Sequence, residues 1–311
     1  MKNKLNIVYM GSGLYGSIVL KELDNTQIDI KSIYVKSKQI ISRKNKSVSF
    51  FQEYNNDLRL HRISRFSESD IKMIETSAPD LILVASFGLI LPDSILKIPT
   101  YGVINIHPSL LPKYRGPSPI STAMIDGEKF TGVSIMKMVK ELDAGPILEQ
   151  DKIEIDYNLN SNELGIELFK IGAQKLNLLF SKLMTNEITE YSQNNSKATY
   201  TKIIKKSDGH IQLLDTVDEI YRKYRAYYDW PGIYSYWNNK RIIFKELKIN
   251  NKTNIDKNLL GKVEDLNNDS LVINARDGQL LISKLQIEGS KAMSASVFVN
   301  GRPSIIGQYI N

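Results

Sequence analysis

LNIVYMGSGLYGSIVLKELD, residues 5–24, sets how the first half of this 311-residue chain is read. The apolar run LNIVYM has the character of a buried strand, and LYGSIVLKELD has apolar residues at helical spacing. Between them Gly11, Gly13 and Gly16 fall in the pattern G-x-G-x-x-G. Such glycines permit a tight strand-to-helix turn and let a phosphate approach a helix N-terminus. A dinucleotide site also needs a carboxylate about twenty residues on, at the end of the next strand. That strand, IKSIYV, runs into Lys36, Ser37 and Lys38. With no acid there, the glycines are read as a structural turn and NAD is not expected.

Working outward, strand and helix signals alternate, which implies a doubly wound, mostly parallel, Rossmann-like α/β sheet. DLILVAS is a nearly continuous apolar run, as in a strand covered on both faces. A helix is expected near SFFQEYNND, then strand GVINIH, a loop, a helix around PISTAMIDG, strand VSIMKMV and the long amphipathic helix SNELGIELFKIGAQKLNLLFSKLM. TEYSQNNSKATYTKIIKK is polar and basic, with Lys197, Lys202, Lys205 and Lys206 along it. It reads as a linker over 189–206, between a first domain over 1–188 and a second over 207–311. In the second, helix TVDEIYRKYRAY precedes short strands separated by Asn, Asp and Gly, the pattern of a small OB-like β-barrel.

Composition narrows the function classes. Apolar residues make up 42% and charged residues 24% of the chain, the balance of an ordinary globular protein. No long apolar span or leader is recognised, so a cytoplasmic protein with no membrane partner is expected. The absence of cysteine excludes disulfides and thiolate chemistry, and no metal site is expected. The formal charge of +7 suits a polyanionic partner, or a lysine-rich solvated surface.

The chemistry-bearing segment is GVINIHPSLLPKYRGPSPI, residues 102–120. In a strand, Asn105 and His107 share a face while Ile104 and Ile106 take the other. Pro108 then breaks the strand, leaving an amide donor and an imidazole at its C-terminal end, where open α/β sheets place ligands. VSIMKMV runs into KELDAGPIL, which puts Asp143 at the same edge if the strands are parallel. Such a trio can stabilise a developing oxyanion and handle a proton, enough for direct acyl or formyl transfer to an amine. Taken singly, each residue also fits a structural role: a cap, a satisfied histidine, a turn aspartate.

NIHPSLLPKYRG and LDAGPIL, in this order and separation, resemble the signature segments of the folate-dependent formyltransferases. The resemblance implies that Asn105, His107 and Asp143 are the catalytic residues. Asn105 and His107 would hold the formyl oxygen, and Asp143 would keep His107 protonated and assist proton movement to the departing nitrogen. VASFGLILP resembles the family's pterin-contacting segment. The 10-formyltetrahydrofolate donor would thus meet Phe87, Gly88, Leu89, Ile90 and Leu91, with Ser109, Leu110, Leu111, Pro112 and Leu142 completing its site. In this family the first strand ends in a comparable turn that binds no dinucleotide.

TYTKIIKKSDGHIQL, RAYYDWPGIYSYW and LQIEGSKAMSASVFVNG resemble the C-terminal half of family members that formylate methionyl-tRNA. Initiator methionyl-tRNA is therefore the expected partner of a monomeric enzyme. Arg43, Lys44 and Lys46 lie in KSKQIISRKNKSVS, where those members insert a loop into the acceptor end; the linker lysines would contact phosphates. Some features depart from that pattern. The loop around Arg43 lacks glycine and proline, Gln212 and Leu213 replace an acid and a tryptophan, and KYRGPSP equally resembles amino sugar nucleotide formyltransferases. The amino sugar acceptor stays open, as does a non-catalytic RNA-binding protein with a relict pocket.

Overall fold

The computed structural model describes residues 4–37, 57–250 and 255–311. Arg43, Lys44, Lys46 and nearly all of SFFQEYNND lie outside them. Among the described residues, one compact unit holds the chain up to Ala123 with Glu128–Tyr157 and Glu163–Lys202. The other holds Met124–Gly127, Asn158–Asn162 and Ile203–Asn311.

The first unit is built from β1 (Leu5–Gly11), α1 (Gly13–Glu22), β2 (Ile28–Lys36), β3 (Leu60–Ile63), α2 (Glu68–Thr76), β4 (Leu81–Ala85) and α3 (Asp93–Leu96). There follow β5 (Val103–His107), α4 (Pro119–Ile125), β6 (Phe130–Lys137), β7 (Ile147–Glu154) and α5 (Ser161–Met184). The sheet order is β3-β2-β1-β4-β5-β6-β7. Every pairing up to β4–β5 is parallel. All five residues of β4 are buried, as its unbroken apolar sequence requires at the sheet centre.

β6 corrects one expectation: it runs antiparallel to β5, with His107 opposite Ser134 and Ile104 opposite Lys137. Its C-terminal end therefore lies beside the start of β5, and strand direction does not carry Asp143 to the ligand edge. Asp143 arrives on the loop joining β6 to β7, itself an antiparallel pair. Residues 108–129 are long enough for either a crossover or a return, so connection length could not decide the direction.

The glycine turn has a packing explanation. A Cβ on Gly11 would lie 2.6 Å from the Tyr9 ring, and one on Gly16 would lie 2.9 Å from the Gly11 carbonyl carbon. The buried Tyr9 hydroxyl donates to the Gly16 carbonyl at 2.5 Å. Ser12 Oγ accepts from the Lys36 amide at 2.9 Å, tying the turn to the end of β2.

On the opposite face of β5 from Asn105 and His107, α5 closes down. Its buried residues Leu164, Leu168, Leu176, Leu179 and Leu183 recur at helical spacing. At Gly172 an added Cβ would stand 2.6 Å from Ile106 Cγ2, so the helix backbone packs directly on the site strand.

The second unit comprises α6 (Val217–Ala226), β8 (Ile233–Trp237), β9 (Lys240–Asn250), β10 (Val263–Asn267), β11 (Ser270–Ala275), β12 (Gly278–Ile287), β13 (Met293–Ser294) and α7 (Ala295–Gly301). Its antiparallel sheet has the order β10-β11-β12-β9-β8, with β13 on β12. The C-terminal tail joins the two edges. Asn311 exchanges backbone hydrogen bonds with Tyr236 of β8, and Gly307 and Gln308 bond Val263 of β10. Both open edges are thereby covered and the sheet curls into a small barrel. No helix among the described residues is long and apolar enough to cross a membrane.

Candidate active site

β5 delivers Asn105 and His107 on one face, with His107 4% exposed and Asn105 half-buried. His107 Nε2 lies 2.9 Å from the Tyr114 carbonyl oxygen. A carbonyl only accepts, so Nε2 carries the proton and donates, and Nδ1 is the nitrogen left to face the site. Nδ1 stands 3.7 Å from Asp143 Oδ2. The Asn105 amide makes no hydrogen bond to any described residue, which leaves its donors available to a ligand.

Two glycines shape the approach of Asp143. A Cβ on Gly145 would fall 1.8 Å from the Lys137 carbonyl oxygen, so the loop turns back tightly there. Gly116, at φ +111°, presents its N–H to Asp143 Oδ2 at 2.7 Å. Asp143 itself has φ +50°, a left-handed conformation rare outside glycine, though aspartate is among the residues that tolerate it best.

The loop after Pro108 is pinned to β6 through the buried Ser134. Its hydroxyl donates to the Ser109 carbonyl and accepts from the Leu111 amide, at 2.7 and 3.1 Å. Gln150 donates to the same hydroxyl and to the Leu111 carbonyl. Farther along, Lys113 and the Tyr114 hydroxyl both donate to Glu128, whose carboxyl is held below its ordinary range by the Lys113 hydrogen bond and secondarily by that of Tyr114.

Residues 189–202, the greater part of the expected linker, are hydrogen-bonded to this unit. Tyr191 pairs antiparallel with Ile147, and Tyr200 pairs in parallel with Arg115. The Ser118 hydroxyl donates to the Lys202 carbonyl, and Lys137 pairs with Glu190. Arg115, 2% exposed, donates to Gln193, Asn195 and Tyr200.

The segment expected to meet the donor follows β4. Phe87 and Leu91 are buried, whereas Ile90 is 94% exposed. Gly88, at φ +72°, and Leu89 help line a cavity of about 460 Å³ together with Ser64, Arg65 and Phe66. Ser109 and Leu111 are buried with their polar groups bonded within the loop and to β6. Leu110 packs over Gly132 of β6, the Pro112 carbonyl accepts from the Thr199 amide, and Leu142 is exposed. Lys197, Lys202, Lys205 and Lys206 are all exposed. Sequence reading missed Ser134, Gln150, Arg115 and Gln193 as site supports. Ser134, a polar residue inside an apolar strand, was the one with a visible signal.

Residues 4–176 match the family described as formyl transferase, and residues 203–303 match the formyl transferase C-terminal domain. The chain belongs to the formyl transferase family. It is 34% identical over 303 residues to a methionyl-tRNA formyltransferase of Caldicellulosiruptor saccharolyticus, covering 96% of this chain and 97% of the relative. A methionyl-tRNA formyltransferase of Campylobacter lari is also 34% identical, over 309 residues, with 97% and 98% covered. Among solved structures, HypX from Aquifex aeolicus in complex with tetrahydrofolic acid aligns with a TM-score of 0.65 at 14% identity. That alignment covers 96% of this chain and 47% of HypX, a likeness of fold.

Proposed function

We propose that this chain transfers the formyl group of 10-formyltetrahydrofolate to the amino group of methionine on initiator methionyl-tRNA. The observation that carries the acceptor is the 34% identity to methionyl-tRNA formyltransferases through both halves of the chain. The C-terminal barrel is then the tRNA-binding domain, with Lys197, Lys202, Lys205 and Lys206 as phosphate contacts and Arg43, Lys44 and Lys46 directed to the acceptor end.

The amine attacks the formyl carbon, forming a new C–N bond, and the bond from that carbon to N10 of the folate breaks. Negative charge gathers on the formyl oxygen between these events. The unbonded Asn105 amide is one donor suited to hold it; the other is Nδ1–H of a His107 imidazolium formed beside the Asp143 carboxylate, since Nε2–H is already committed to Tyr114. The attacking nitrogen loses a proton and N10 gains one. Asp143, facing Nδ1 and fixed by Gly116, is placed to assist that transfer. For the donor, the cavity beside Gly88 and Leu89 supports the folate assignment made from VASFGLILP.

The test is a competition assay on the purified full chain with 10-formyltetrahydrofolate and three acceptors: charged initiator tRNA, charged elongator methionyl-tRNA and an amino sugar nucleotide. Preferential formylation of the initiator is expected. Formylation of the sugar nucleotide alone overturns the acceptor assignment, and no transfer to any of them overturns the enzyme.

A further inference from the structure

We propose that Gln193 is a positioning residue for Asp143, holding the aspartate loop in place from a segment outside both signature motifs; this rests on the role given to Asp143 above. Gln193 Nε2 donates to the Asp143 carbonyl at 2.8 Å and to the Gly145 carbonyl at 2.7 Å. Its Oε1 accepts from Arg115 Nε at 3.1 Å and Nη2 at 2.7 Å. The amide thus uses both donors and both lone pairs. Its orientation is chemically forced, because a guanidinium can only donate and carbonyls can only accept.

Asp143 is consequently gripped at two places. Gly116 N–H fixes the carboxylate, and Gln193 fixes the backbone on which the carboxylate is mounted. The left-handed backbone of Asp143 needs surroundings that over-determine it. Gln193 supplies them at the turn itself, bonding the carbonyls on either side of Ala144. Arg115 carries the restraint into the neighbouring loop. It is buried, bonds Asn195 Oδ1 at 2.8 Å, and its backbone pairs with Thr199 and Thr201. Its side-chain acceptors, on Gln193, Asn195 and Tyr200, are neutral, and no carboxylate among the described residues forms an ion pair with it.

That neutrality gives a discriminating substitution. Gln193→Glu keeps, and strengthens, the acceptor offered to Arg115, but removes both donors to the aspartate loop. If Gln193 only satisfies Arg115, the variant is as active as the wild type. If it positions Asp143, kcat falls by about tenfold to a hundredfold, the scale of a small misplacement of a reacting group. The KM values for folate and tRNA stay within about twofold, because binding contacts are intact. The thermal midpoint falls less than in Gln193→Met, because Arg115 keeps its acceptor while the two loop carbonyls lose their donors, and the pH profile of kcat changes shape. Gln193→Met, which removes every hydrogen bond at similar volume, lowers kcat as well. Asp143→Asn is assayed beside them. Wild-type kcat in Gln193→Glu while Asp143→Asn is impaired overturns the positioning role alone. Full turnover in Asp143→Asn overturns the mechanism beneath it and the proposal with it.

Discussion

His107 and Asp143 face one another across 3.7 Å, Nδ1 to Oδ2, with side chains 5% and 11% exposed. The gap is longer than a hydrogen bond. Catalytic hydrogen bonds are commonly long before substrate binds and tighten in the reacting complex. Because Nε2 is held by Tyr114, any proton passed through the imidazole on this side travels by Nδ1.

Asp143→Asn keeps an oxygen for Gly116 N–H and removes only the charge. We predict a fall in kcat of roughly 10²- to 10⁴-fold, the usual worth of acid–base assistance, with an unchanged thermal midpoint. Turnover near the wild-type value in a single-turnover formylation assay would reject the proton role.

Asn105→Ala separates chemistry from stability. Its side chain has no partner among the described residues, so unfolding free energy should change by less than about 1 kcal/mol. Loss of an oxyanion donor should cost about 10²- to 10³-fold in kcat. A variant destabilised in urea but normal in turnover would show the amide to be structural.

Ser134→Ala leaves the buried Leu111 N–H without its acceptor and removes the clamp on the loop after Pro108. Stability should drop by about 1–3 kcal/mol, read from urea denaturation. A cost near zero would mean that Gln150 alone holds the loop.

Tyr34 concerns the alkaline limb of stability. Its hydroxyl is buried with no hydrogen-bond partner among the described residues. Burial, aided by the Asp70 carboxylate and only partly opposed by the nearby Ser32 hydroxyl, pushes its ionisation up to about 12. In the unfolded chain a tyrosine ionises near pH 10. Its contribution is therefore complete below about pH 10 and is lost as pH rises toward 12, where the unfolded form alone gives up the proton. Tyr34→Phe should make that limb shallower while leaving stability at pH 7 equal or greater. Some slope will persist, since burial raises Tyr224 and Tyr227 as well. An unaltered limb would refute the assignment.

The exposed Lys197, Lys202, Lys205 and Lys206 form no ion pair among the described residues. For each that contacts a tRNA phosphate, alanine should flatten the plot of log affinity against log salt by about 0.7–0.9. A slope unmoved by all four substitutions would take them off the RNA surface.

The strands most legible in the sequence were those whose burial writes itself into composition. β4 is apolar throughout because it is covered on both faces, and α5 repeats its leucines because one stripe meets the sheet. β3, α2 and β7 were not anticipated. β3 is four residues of mixed polarity at the sheet edge, and β7 alternates half-buried and exposed residues, so neither leaves a strong apolar trace.

By itself the sequence determined which face of β5 carries Asn105 and His107, because strand alternation is a local property of the backbone. It also determined the family, through motifs whose residue types the chemistry demands. Only the tertiary structure decided that β6 turns back against β5, and that Asp143 reaches the imidazole on a hairpin loop braced by Gln193 and Arg115. Those relations are made between residues up to 78 positions apart. Contacts at such separation depend on where the intervening chain folds, and no short window of residues encodes that.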